Sequence, residues 1–152
     1  MATTYTSPEF DLALLDEAFD RADIVFHGVD HAGPSYEARV YLNNPKATED
    51  TPLEPDAGYA GSFHIFGHGG CLGDPGHCDV HEDARDPYDM RFPHPLTPAK
   101  KHVTVTSTLR EIAKTAKTVT VTVVPVVTAI NELCDQEDVF RCEDMHFNTY
   151  NG

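Results

Sequence analysis

The chain has 152 residues, 40% of them hydrophobic, which suits one domain with a sizeable core. Eleven Lys and Arg against 25 Asp and Glu leave a formal net charge of −14, a surface that repels nucleic-acid phosphates and anionic lipid and attracts cations. No apolar run reaches the roughly 18 residues of a membrane span. The N-terminal MATTYTSPEFDLALL also lacks the basic start and apolar run of a secretion signal, so the expected compartment is cytoplasmic.

In chain order, Ser7-Pro8-Glu9 supplies an N-cap, a proline at the first helical position and an acid in the first turn. With Phe10, Leu14, Leu15, Ala18 and Phe19 at helical spacing, a short helix is expected over 8–21. The period then shifts. Ile24-Val25-Phe26 reads as a strand, Gly28 to Pro34 as a turn, and 36–42 as a strand with Tyr36, Ala38, Val40 and Leu42 on one face. Residues 43–56, polar and with three prolines, read as an exposed loop.

Strand character resumes over 59–66, and a long irregular region follows at 67–98, a length that usually signals function or flexibility. Residues 102–106 form another strand. Thr108-Leu109-Arg110-Glu111 offers a capping box for a short helix near 108–115. Thr118 to Val127 is the strongest strand signal, with Pro125 marking an edge or a bulge, and 145–150 is a candidate last strand. Short strands with turns between them and marginal helices predict an all-β fold with minor α. The expected architecture is a single antiparallel β-sandwich spanning 1–152.

The chemistry concentrates between Gly58 and His81, where four His, two Cys and seven Gly fall within 24 residues. Imidazole and thiolate are the donors that borderline and soft metals prefer, and glycine lets backbone wrap closely around a small site. His68 and His77, with Cys71 and Cys78, offer two imidazoles and two sulfurs inside eleven residues, a set suited to zinc or copper(I). The spacing differs from the usual structural-zinc pattern. The same two cysteines could equally close a disulfide around a glycine-rich loop, leaving histidines alone as ligands; the residues leave both readings open. Cys134 and Cys142 form a second local pair, open in the same way.

His31 and His94 sit in turn-rich segments, VDHAGPS and RFPHPLTP, of the kind that converge at one end of a sandwich. The candidate metal ligands are therefore His31, His68, Cys71, His77, Cys78 and His94. His64, between Phe63 and Ile65, reads as a strand histidine on the less apolar face, and His102 and His146 read as surface residues, while His27 and His81 stay unassigned. A blue-copper pattern fails because Met90 lies nine residues past His81. No phosphate-cradling or nucleophile-elbow motif occurs.

The runs SYEARVYLNNP (35–45), GYAGSFHIFGHGGCLGDPGHCDV (58–80) and YDMRFPHPLTPAKKHVTVTSTLREI (88–112) resemble the C-terminal β-sandwich region of some bacterial tyrosinase-like proteins. More distantly they resemble the β-sandwich domain that follows the copper domain of molluscan haemocyanin. The likeness spans roughly residues 24 to 127. It implies a free-standing relative of that accessory domain, since no helices here can present the six histidines of a dicopper centre.

Three functions follow as expectations. The first is a metal-binding β-sandwich protein for copper or zinc. The second is a non-catalytic accessory or interaction domain, partnered by a copper oxidase or by a second copy of itself. The third is a small metal-dependent enzyme on the same site, its substrate unnamed by the sequence.

Overall fold

The computed structural model describes residues 1–15, 18–68, 87–88, 90, 97–129 and 134–152. Among these residues nine strands form three antiparallel sheets: β1 (Tyr5–Thr6), β2 (Phe10–Asp11), β3 (Arg21–Val29), β4 (Tyr36–Leu42), β5 (Tyr59–Ile65), β6 (Ala99–Thr104), β7 (Thr118–Val119), β8 (Val121–Val127) and β9 (Asp144–Tyr150). One sheet runs β1-β8-β4-β5 and the other β6-β3-β9, with β2-β7 as a short flanking pair. One helix, α1 (Thr106–Ala113), follows β6. The expected all-β sandwich with minor α is the observed architecture. Among the described residues no helix is long and apolar enough to cross a membrane.

Period-two burial builds the core. Tyr36, Ala38, Val40 and Leu42 of β4 face Ala22, Ile24 and Phe26 of β3, as the alternation predicts. Phe63 and Ile65 of β5, Val103 of β6, Val121 and Val123 of β8 and Met145 of β9 fill the space between. Three phenylalanines tie the layers together. Phe26 lies 5.0 Å from Phe63 and 6.0 Å, edge-on, from Phe140, and Phe63 lies 6.3 Å from Phe140, ring centre to ring centre.

The helix expected over 8–21 contracts to a single 3-10 turn, Leu12–Leu14. Its signals are used otherwise. Ser7 donates to Pro8 O and accepts the Val121 N–H, while Phe10 and Asp11 pair with Val119 and Thr118. An N-cap sequence and an available strand edge compete for the same backbone, and the edge wins because it also buries Phe10 and Leu12 against the core.

Gly28 and Val29, expected in a turn, extend β3 instead; a register shift against β6 between Phe26 and Val29 absorbs Gly28 at φ +63°. The helix near 108–115 begins two residues early. Thr108 therefore lies inside α1, where its buried hydroxyl donates to Tyr59 O rather than capping. Pro125 sits opposite Ala38 and past the end of β1, whose pairing covers only Thr122 and Val123, so the edge position fits its missing N–H.

The 43–56 loop is more than an exposed connection. Ala47 is buried with Tyr41 and Val124, Tyr41 OH donates to Thr51 O, and Arg39 donates to Glu49 O. The loop thus covers the outer face of one sheet. The outer face of the other is sealed by its own side chains: Asp23, 1% exposed, takes two hydrogen bonds from Arg21 and one from Thr104.

Two outcomes follow. Tyr36 OH is buried without a hydrogen-bond partner among the described residues, and burial pushes its pKa well above the ordinary phenol value. Tyr36→Phe should leave thermal stability unchanged or raise it by up to about 1 kcal/mol, and should extend stability above pH ~10, where the unfolded phenol ionises while the buried one stays protonated, a difference that favours unfolding. Ser7→Ala, by contrast, strands the buried Val121 N–H and should cost about 1–3 kcal/mol in denaturant unfolding.

Asp23 has the opposite sign. Hydrogen bonds from Arg21, the largest cause, hold its carboxyl below the ordinary range against the opposing effect of burial. Its contribution is therefore present above the unfolded value of about 4 and disappears as pH falls through the folded value. Arg21→Ala should move the acid-unfolding midpoint, followed by circular dichroism, to higher pH. An unchanged midpoint would show that Asp23 does not control acid stability.

Candidate metal centre

Two of the six candidate ligands lie among the described residues, and the fold brings them together. His31 follows the end of β3 and His68 the end of β5, so each is carried to the same rim by a strand that the phenylalanine trio fixes at its base. Their Nδ1 atoms are 3.1 Å apart, with ring centres at 4.8 Å and planes at 75°. The backbones meet as well: the His68 N–H donates to His31 O at 2.9 Å.

Glycine makes this approach possible. Gly67 packs against the Gly33–Pro34 backbone so closely that any Cβ there would collide with Gly33 O and Pro34, and its N–H donates to Ser35 Oγ at 3.0 Å. Pro34 is buried beneath this contact. The turn expected around Gly33-Pro34 and the glycine after strand β5 are thus two halves of one contact.

Hydrogen bonding settles the roles of the ring nitrogens. His31 Nε2 faces the carbonyl oxygen of Thr97, which can only accept, so Nε2 is the donor there and Nδ1 is left to accept from His68. His68 Nδ1 lies 3.1 Å from that atom and 3.3 Å from His31 O, so it donates to both. A histidine whose far nitrogen is anchored on a backbone carbonyl is the arrangement that orients imidazole metal ligands.

The separation is close to what a shared ion needs. Two Zn–N bonds of about 2.0–2.1 Å at a tetrahedral angle set the nitrogens about 3.3–3.4 Å apart, a few tenths of an ångström wider than observed. Binding there would shift the His68 Nδ1 proton to Nε2 and put the ion in its place.

No group of three or more His, Cys, Asp or Glu able to hold a metal occurs among the described residues. Cys71, His77, Cys78 and His94 lie outside the described residues. Asp30, one residue before His31, has its carboxylate occupied by the Ala32 N–H. Phe66 is 81% exposed, with its ring 5.8 Å from that of His68, so an aromatic face stands in solvent beside the pair.

The other histidines are distributed as their strand positions dictate. His64 is exposed opposite Glu37, between buried Phe63 and Ile65. His102 is exposed, whereas His146 is half-buried and stacks on His27, ring centres 4.9 Å apart at 21°. That contact joins β3 to β9, a pairing no local pattern announces. Cys134 and Cys142 are both half-buried. Burial, and secondarily Asp144, pushes the Cys142 thiol up, which makes it a poor thiolate donor.

What sequence reasoning lacked was Thr97, since a backbone carbonyl leaves no signature in residue type. In comparisons with known proteins, the chain matches no family model, and no curated protein and no solved structure is significantly similar to it.

Proposed function

We propose that this chain is a metal-binding β-sandwich protein that holds copper or zinc at the rim formed by the ends of β3 and β5. His31 and His68 supply the first two ligands. One observation carries the reading: two imidazoles from distant parts of the chain present Nδ1 atoms 3.1 Å apart, one of them anchored through its other nitrogen on Thr97 O. Neutral imidazole suits both metals, and the net charge of −14 favours cation approach.

Further ligands come from Cys71, His77, Cys78 and His94. Cys71 is three residues past His68 and His94 three before Thr97, so chain reach keeps each within about 11 Å of a residue that touches His31. With an open coordination position the ion could polarise a carbonyl or activate water, and exposed Phe66 could pack against an apolar substrate group. The resemblance to the accessory sandwich of tyrosinase-like proteins favours copper and a copper oxidase as partner, and belongs to the same proposal.

Untagged protein loaded with zinc or copper(II) and analysed by mass spectrometry of the metal should carry one equivalent. His31→Ala and His68→Ala should each weaken uptake by more than the roughly 10–100-fold typical of outer-sphere changes, while His64→Ala leaves it intact. Gly67→Ala touches no ligand but displaces His68, and should weaken uptake by about 10–100-fold. Unaltered uptake in the His31 and His68 variants would move the site elsewhere. No stoichiometric metal in the wild type would leave the accessory-domain reading.

A further inference from the structure

A sandwich with two open sheets has four edges, and three of these are blunted. β1 is only two residues long, and β5 is interrupted by a register shift and by Gly61 at φ +149°. β6 carries Lys100 and Lys101. Short strands, bulges and edge lysines are the devices by which sheets avoid pairing with other chains. β9 has none of them. Its seven residues, DMHFNTY, run without Pro, Gly or Lys and pair with β3 alone. Among the described residues no other segment hydrogen-bonds to its free edge.

From this edge we infer that two copies of the chain pair antiparallel through β9, joining two three-stranded sheets into one of six strands about a two-fold axis. The side-chain pattern selects the register. Met145, Phe147 and Thr149 face the core side, with Met145 buried and Phe147 against Phe10 at 5.1 Å; Asp144, His146, Asn148 and Tyr150 face outward. A one-residue slip would exchange the two faces. Centring the axis on Phe147 pairs all seven residues, while sliding by two sets His146 against itself or Asn148 against itself and shortens the ladder.

In the Phe147-centred register Asp144 lies opposite the partner's Tyr150, His146 opposite the partner's Asn148, and Phe147 opposite the partner's Phe147. The ends offer hydrogen-bond donors at one side and acceptors at the other. Arg21 lies 5.5 Å from the centre of the Tyr150 ring and is 57% exposed, whereas Glu9 and Glu143 line a groove beside Asp144. Antiparallel pairing brings Asp144 of each strand to the Tyr150 hydroxyl and the exposed guanidinium of Arg21, whose Nε and Nη2 bind Asp23, on the other. Asp20, near the same end, accepts the Gly152 N–H and keeps its negative charge, so the pairing rests on donor and acceptor geometry and not on net charge.

Sedimentation equilibrium of the full chain across a concentration series should fit a monomer–dimer equilibrium, with amide exchange over 144–150 slowing as concentration rises. Tyr150→Asp sets two carboxylates opposite each other and should lower the association constant at least about tenfold. Adding Asp144→Lys to that variant restores an opposite-charge pair and should recover the dimer. A chain that stays monomeric up to about 1 mM overturns the inference. So does a dimer indifferent to both variants, or one whose 144–150 amides exchange at the same rate at every concentration.

Discussion

The structure depends on three phenylalanine rings. Phe26 on β3, Phe63 on β5 and Phe140 from the segment before β9 meet at the inner end of the two strands that lead to the rim. Aromatic rings packed at 5.0–6.3 Å leave little freedom for one sheet to slide over the other. His31 lies five residues beyond Phe26 and His68 five beyond Phe63. A shift of one strand against the other would separate the two imidazoles by the same amount, so the precision of the candidate metal site is inherited from the core.

Above that core the rim is held by backbone rather than by side-chain bulk. Gly67 against Gly33–Pro34, His68 N–H on His31 O, and His31 Nε2 on Thr97 O use the same few atoms to close the end of the sandwich and to aim both rings. His68 and Thr97, near the two ends of the 67–98 region, therefore both touch His31. At this rim Gly67 supplies close approach of two chain segments, which a side chain there would block.

The two outer faces are finished differently, and the difference has consequences. One sheet is covered by the 43–56 loop, whose carbonyls accept from Arg39 and Tyr41, so β4 and β8 are buried on both sides. The other is closed by the Arg21–Asp23–Thr104 cluster and by the His27–His146 stack, with no loop among the described residues laid across it. Side-chain closure shields the middle of a sheet but not its edge strand, and among the described residues β9 is an edge paired on one side only.

Periodicity made much of this legible in the sequence: Tyr36 to Leu42, Tyr59 to Ile65 and the final strand fall where alternation puts them, because burying one face of a strand constrains residues two apart and nothing else. The proximity of His31 and His68 was anticipated only as a convergence of turns, since the Nδ1 separation is set by strand register and by Thr97, neither of which is written in local residue type. At the N-terminus local signals misled. Ser7-Pro8-Glu9 is a sound helix start, yet the backbone of Phe10 and Asp11 gains more by pairing with 118–119. Residue order by itself determined which side chains must be buried and that histidines and cysteines concentrate between Gly58 and His81. Tertiary structure alone decided which of them meet, because contacts between residues 31, 68 and 97 come from packing two sheets face to face, an interaction no short stretch of chain can encode.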